Sequence, residues 1–478
     1  MTVDSDITGL WSPGVRRLTA SLSMTVTLVA FESLSVATIL PVVSRHLGDV
    51  RLYGWVFSAF FLSSLVGIVV SGAVSDSRGM GLPLIGGLVI FGAGLAVAGT
   101  APDMPVLVAG RIVQGFGAGS VPAAAYAAIG RAYPERLRPR MFATLSTAWV
   151  VPGVVGPALA AQVASHLGWR WVFLGLLPLV AIACAVAVPS LSTVPGQPNP
   201  NAAPIPIRAA VMVAIGAGLL LAGLTLAIPV YSPLLVLAGG IMGVPALRRL
   251  VPPGTLRARR GLPAAVLTRG LLTFGFFAGD AYVPLTLTSI RHTSVTFAGI
   301  TLTVSTMAWT TGSWLQARTI HRHGPRVLVA YGLALVVAGL AAMASLLWSA
   351  VPLWMALVAW SVAGFGIGIA YSPISLTALG WARPGEEGRA TASVQLSDVL
   401  GVALGTGVAG AAVAIVHQHR GDPRLGLGLA FAAAGVVALV GVLVTPRLPG
   451  RTTPAAAPAE SDSQGLVASP DATAREET

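Results

Sequence analysis

Fourteen times along its length this chain passes through roughly twenty consecutive, almost wholly apolar residues, the length a helix needs to cross the hydrocarbon core of a bilayer. Of its 478 residues 55% are hydrophobic and only 10% are charged, with a mean hydropathy of +0.80. Such a chain cannot cover itself with a polar shell in water, so lipid is its solvent and its fold class is all-α. The runs lie approximately at residues 19–43, 55–75, 83–100, 106–129, 141–165, 171–188, 209–229, 232–247, 262–288, 297–317, 327–348, 353–380, 391–416 and 426–445.

The basic residues orient these spans. All 29 are arginines; with the N-terminus inside, 21 fall in inner segments, six in outer loops (Arg45, Arg51, Arg170, Arg291, Arg420, Arg424) and two, Arg111 and Arg269, within spans. That excess places both termini in the cytoplasm. The net charge of +12 is therefore topogenic rather than a nucleic-acid footprint, and no nucleic-acid partner is expected. The lone Cys184 sits in an apolar span and makes no internal disulfide. The first run has full span length and lacks a clear small-residue cleavage site, so it reads as an uncleaved helix in a bacterial plasma membrane.

The chain also repeats. Gly115-Phe116-Gly117-Ala118-Gly119 returns as Gly364-Phe365-Gly366-Ile367-Gly368 (364 minus 115, or 249 positions later), Glu32 pairs with Asp280 at 248, Pro134 with Pro384 at 250 and Gly156 with Gly405 at 249. Two six-span units with an inserted pair between them account for the spacing. The expected organisation is a cytoplasmic lead-in over 1–18, a first bundle over 19–188, a loop with two inserted spans and a basic inner loop over 189–261, a second bundle over 262–445 and a disordered cytoplasmic tail over 446–478.

Within that frame several motifs carry a resemblance. Span 1 places Glu32 nine residues before Pro41, and span 2 opens on Trp55 with Phe60 and Leu62 at set spacing. That span ends in Gly72-Ala73-Val74-Ser75-Asp76-Ser77-Arg78-Gly79, with Met80 and Gly81 where a G-x-L-x-D-R-x-G-R-K loop carries its last basic pair. Span 4 has Arg111, Gln114, Gly115, Gly117 and Ala118 in the order R-x-x-Q-G-x-G-A, span 5 has Gly156-Pro157, and Gly168 to Phe173 reads G-W-R-W-V-F. Over residues 19–445 the chain resembles the drug:proton antiporter group of the major facilitator superfamily, most closely its fourteen-span branch. The resemblance implies two six-helix bundles with a substrate path between them near the bilayer midplane.

Ionisable groups inside spans are the candidate machinery, because burying a charge in lipid demands a partner or a task. Arg111, Gln114, Gly115 and Ala118 share one helix face. From an outer end, Glu32 lies about 16 Å deep in span 1 and Arg111 about 8 Å deep in span 4, a gap that an arginine side chain bridges. The expected proton-coupling and substrate residues are Glu32, Asp280, Arg111 and Gln114. Asp398 and Arg269 enter the second half at equal depth as an expected inter-helix tie. Asp76, Arg78 and Gly79 are assigned to gating or capping, Gly115, Gly156 and Pro157 to helix packing and bending, and Phe276, Tyr282, Trp309, Trp360 and Tyr371 to the lining of an apolar cavity. No metal or cofactor is expected, since no carboxylate or thiol completes the His321/His323 or His417/His419 pairs.

Together these features point to a proton-coupled efflux transporter for hydrophobic or cationic drugs, with a role in antibiotic resistance. Its partners are the bilayer, protons and a small substrate, and it works as a monomer because one chain holds both halves of the path. A dedicated exporter of one endogenous metabolite or lipid is the alternative. A membrane-embedded enzyme is remote, because no G-x-S-x-G, H-E-x-x-H or P-loop pattern occurs and every histidine lies at a span end or in a loop.

Overall fold

The computed structural model describes residues 9–450 except residues 14, 80, 192–205, 227, 229 and 383–385. The expected disordered tail beyond 450, half of the lead-in and most of the Pro-rich loop thus lie outside the described residues. Among the described residues every regular element is helical: α1 Arg16–Leu47, α2 Tyr53–Arg78, α3 Gly81–Gly99, α4 Met104–Ala132, α5 Arg138–His166, the short α6 Arg170–Leu174, α7 Leu177–Leu191, α8 Ile207–Leu226, α9 Tyr231–Leu250, α10 Leu262–Asp280, the one-turn α11 Val283–Leu285, α12 Val295–Ser345, α13 Met355–Gly380, α14 Glu387–Gln418 and α15 Pro423–Val444. The first helix therefore begins inside the segment expected as a polar lead-in.

Twelve helices among the described residues are long and apolar enough to cross a membrane. Two features separate that number from the fourteen expected. The 51-residue α12 is two helices merged across Gly324, whose φ of 76° breaks the helical path just before Pro325. The 29-residue α4 is not among the twelve counted over the described residues. Helix starts follow local chemistry: the Asp103 side chain accepts from Val106 N–H at 2.9 Å, that of Ser294 from Phe297 N–H at 3.1 Å and that of Asp422 from Arg424 N–H at 2.9 Å.

Helices α1 to α7 pack together, α4 between α2 and α3 and α1 against α5 and α7, while α10 packs on α14 and α15 and the two arms of α12 pack on α13. The repeat seen in sequence recurs in packing. Gly115 of α4 rides on the Phe60 carbonyl as Gly364 of α13 rides on that of Ser305, and Gly119 on Ser64 as Gly368 on Trp309. Gly67 against Phe116 and Gly94 against Gln114 likewise match Gly312 against Phe365 and Gly339 against Ala363. Small residues set this close backbone approach in both halves.

The two groups meet where α2 crosses α14 and α5 crosses the first arm of α12. At one end Tyr53 Oη donates to the Ala281 carbonyl at 3.2 Å, Ser58 Oγ donates to the Ala403 carbonyl at 2.8 Å and lies 3.2 Å from Thr406 Oγ1, and Gly54 abuts Gly410. Toward the opposite end of α1, Thr19 and Tyr133 share a 2.7 Å hydrogen bond, and burial pushes the Tyr133 phenol up to about 12, so that it stays protonated. The α8–α9 pair is joined through Gly216, Gly239 and Gly243, and α8 lies along α2 and α14. Leu234, Leu237 and Ile241 leave α9 with an exposed apolar face suited to lipid.

Candidate functional site

Three polar clusters lie inside this apolar body. In the first, α4 turns Arg111 toward α1 and α2. Arg111 Nη1 donates to Glu32 Oε1 and, at 2.7 Å, to Gln114 Oε1, while Nε donates to the Val56 carbonyl at 3.1 Å. The guanidinium also lies 4.1 Å from the centroid of the Phe60 ring. Glu32 and Arg111 are each only 1% exposed, so both charges are desolvated and each depends on the other. One carboxylate oxygen is thus committed. The second, Glu32 Oε2, is buried with no hydrogen-bond partner among the described residues, as are Gln114 Nε2 and, one turn along α1, Ser35 Oγ. Leaving such groups unmatched costs about 1–3 kcal/mol each, so this pocket has unused capacity for a proton or a polar ligand.

The second cluster belongs to the C-terminal half. Helix α10 ends at Asp280, and after two turn residues the chain winds on through one turn at Val283–Leu285 and a π-helical stretch at Thr286–Ile290. Pro284 denies that turn a backbone donor, so the span expected over 262–288 is interrupted at the acid itself. Asp280 is half-buried and its Oδ1 accepts from Trp360 Nε1 at 2.9 Å. Phe276 stacks on Trp360 with centroids 5.3 Å apart and meets Trp309 edge-on at 5.6 Å, and Trp309 reaches Tyr371 at 5.4 Å. Tyr282 stands apart from this wall: it is fully buried, pairs with Tyr53 at 5.1 Å, and donates to the Thr406 carbonyl at 3.3 Å where the two halves meet.

In the third cluster, Arg269 Nε donates to Asp398 Oδ1 at 2.7 Å, Nη1 donates to the Tyr371 carbonyl at 2.7 Å, and the guanidinium lies 3.1 Å from the centroid of the Tyr371 ring. Tyr371 Oη completes the set by donating to Asp398 Oδ2 at 3.1 Å. Gly401 and Gly405 let α14 lie directly on the Gly270 and Phe274 backbone of α10, which sets the distance between the two charges.

Of the remaining sequence candidates, Gly156 faces Phe31 and Ser35 of α1, and the Pro157 carbonyl abuts Gly299 of α12. Arg78 ends α2, exposed, and Gly79 turns the chain at φ 84°. The Asp76 side chain lies outside the described residues. No cluster of His, Cys, Asp or Glu able to hold a metal occurs among the described residues. Sequence reasoning missed Phe60 beneath Arg111, Tyr53 and Ser58 at the junction, and the indole of Trp360 as the donor to Asp280. The repeat held a signal for the last: Trp360 stands 249 positions after Arg111 (360 minus 111), the offset of the flanking glycines.

Repeated helical bundles, each with ionisable side chains buried inside, are the build of a multi-pass membrane transporter. The chain belongs to the Major Facilitator Superfamily, whose family model matches residues 22–278 and 265–474. A relative from Mycobacterium tuberculosis named "Probable multidrug-efflux transporter" is 28% identical over 463 residues, covering 92% of this chain and 97% of its own. Among solved structures, an autoinhibited peptide transporter of the POT family aligns with a TM-score of 0.65 at 17% identity over 89% of this chain and 97% of its own. A bacterial homologue of the lysosomal transporter Spinster, inward-facing and unoccupied, aligns at 0.63 and 14% over 91% and 98%. These likenesses concern the fold.

Proposed function

We propose that this transporter is a secondary antiporter that expels hydrophobic or cationic drug-like compounds from a bacterial cell in exchange for protons moving inward. The observation that carries this function is the buried Glu32–Arg111–Gln114 network, in which one carboxylate oxygen is matched by a cation and the other has no hydrogen-bond partner among the described residues. An acid so placed exchanges a proton when its pairing with Arg111 changes between conformations. The 28% identical relative named for multidrug efflux supports the substrate class.

With the termini in the cytoplasm, the end closed by Tyr53, Ser58 and Thr406 faces outward. The bundles over 19–188 and 262–445 then rock about the α2–α14 and α5–α12 crossings, with Asp76, Arg78 and Gly79 at the inner gate. Substrate enters from inside while the acids are ionised, and protonation from outside releases it.

Inverted vesicles loaded with a pH-sensitive dye and energised test the mechanism against a panel of lipophilic cations. Addition of a transported compound releases lumenal protons in wild type, and Glu32→Gln lowers that release at least about tenfold, the effect of removing a positioned proton carrier. Undiminished antiport by a correctly folded Glu32→Gln variant rejects Glu32 as the coupling acid.

A further inference from the structure

Between the two arms of α12 and α13 lies a cleft of about 610 Å³, lined by Val304 and Ala308 of the first arm, Leu335 of the second, and Leu357, Val358 and Phe365 of α13. Val358 is 45% exposed and Tyr331, which also lines the cleft, is 55% exposed, so in a bilayer the cleft opens onto lipid. Thr311 on its wall spends its hydroxyl on the Met307 carbonyl at 2.9 Å. None of the ionisable groups buried inside the bundles lines it. A space with so few polar partners holds water poorly and accepts hydrocarbon.

One end of this apolar cleft is basic. Val304, Thr311 and Arg318 follow one another at seven-residue steps and share a face of the first arm. Arg318 lies six residues before the Gly324 turn (324 minus 318) and Tyr331 seven residues after it (331 minus 324). Both therefore stand about 10 Å from the turn, on neighbouring arms, and both are exposed. Arg322 and Arg326 continue the positive rim to the turn, and neither α12 nor α13 contains an acidic residue.

The first half shares the scaffold but not this rim. Gly67, Gly79 and Gly94 each recur 245 positions later as Gly312, Gly324 and Gly339 (312 minus 67), and the Gly79 and Gly324 turns both have positive φ, 84° and 76°. At that offset Ala73, Ser77, Gly81 and Gly86 stand where the second half has Arg318, Arg322, Arg326 and Tyr331. The repeated fold thus forms without these four side chains, and their place on the second half asks for a separate ligand.

We propose that the cleft is a binding site for an anionic phospholipid of the cytoplasmic leaflet, with one acyl chain lying between α12 and α13 and the phosphate held by Arg318 and the Tyr331 hydroxyl. The aliphatic stem of Arg318 lies along the apolar wall while its guanidinium rises to the headgroup level, where a tyrosine is also at home. A guanidinium offers paired donors to phosphate oxygens and the phenol adds another. A zwitterionic lipid brings the same chain but a cation of its own into the basic rim, so the anionic headgroup is preferred. The assignment rests on the orientation proposed above and not on what the transporter carries.

Phosphatidylglycerol and phosphatidylcholine with identical chains, titrated into the purified full-length protein in detergent and counted by native mass spectrometry, test the site. Wild type binds phosphatidylglycerol at least about tenfold more tightly than phosphatidylcholine. Arg318→Gln removes that preference and leaves phosphatidylcholine binding unchanged, whereas Arg318→Lys keeps phosphatidylglycerol within about threefold of wild type. Ala308→Phe fills the cleft and weakens both lipids at least about tenfold. Thermal unfolding of each variant separates loss of the site from loss of the fold. Equal wild-type affinity for the two lipids, or full phosphatidylglycerol affinity in Arg318→Gln and Ala308→Phe, overturns the site. Glycerol 3-phosphate binding as tightly as phosphatidylglycerol shows a site for free phosphate esters, and displacement of the lipid by ethidium shows a substrate entrance; either result overturns the phospholipid. None of these readings uses the vesicle assay, so failure of the lipid site and failure of antiport are seen separately.

Discussion

Arg269 is held from three directions, by the Asp398 carboxylate, the Tyr371 carbonyl and the Tyr371 ring, and is only 5% exposed against 21% for Asp398. Removing one partner of a buried pair costs about 3–5 kcal/mol, whereas replacing both by apolar side chains of similar volume is close to neutral. Arg269→Met alone should therefore lower the unfolding midpoint in detergent sharply, by an amount on the order of 2–4 kcal/mol because Asp398 keeps some solvent. The double variant Arg269→Met/Asp398→Leu should recover most of that loss. If its transport recovers too, the pair is a tie between α10 and α14; stability without transport assigns the charges to the transport cycle. Both charges were legible in sequence because each interrupts an apolar run at similar depth. The carbonyl and ring of Tyr371 were not, because nothing in a linear pattern says which residue of α13 lies across from Arg269.

At the scale of the helix, glycine spacing decides which side chains can meet. Gly115 and Gly119 on α4 sit against the Phe60 and Ser64 carbonyls of α2, and their counterparts Gly364 and Gly368 on α13 sit against Ser305 and Trp309 of α12. A side chain larger than hydrogen forces each pair of helices apart, at a typical cost of about 1–3 kcal/mol or more. Gly115→Val should destabilise the protein and also abolish proton-coupled transport, since it shifts Arg111, one turn away, from Glu32. Gly364→Val should destabilise it comparably but impair binding of lipophilic cations, because Trp360 lies one turn away from that position. Midpoints of thermal unfolding together with binding and antiport assays on the two variants check this, and identical functional defects in both would refute it. Most helices were readable from apolar length alone. The irregular turn after Asp280 was not, because the apolar pattern runs on past the acid and only Pro284 hinted at an interruption there.

For the molecule as a whole, function depends on the two bundles parting where they now touch. Ser58 on α2 and Thr406 on α14 bring their hydroxyl oxygens within 3.2 Å of each other, beside the Tyr53–Ala281 and Tyr282–Thr406 hydrogen bonds. The Ser58–Thr406 contact joins residues 348 positions apart, so the sequence could reveal the two halves through their repeat but not which helices close them. Alternating access requires this junction to open once per cycle while the opposite end closes. Side chains this near admit a disulfide without large backbone movement. In a Cys184→Ser background, which removes the native thiol, the double variant Ser58→Cys/Thr406→Cys should cross-link under mild oxidant, seen as two fragments held together after cleavage at a protease site placed in the loop over 192–205. The linked protein should still bind lipophilic cations from the opposite side but should release almost no protons in vesicles, with recovery on reduction. Sustained antiport by fully cross-linked protein would show that the bundles do not separate at this junction, and the outward gate would then have to lie elsewhere.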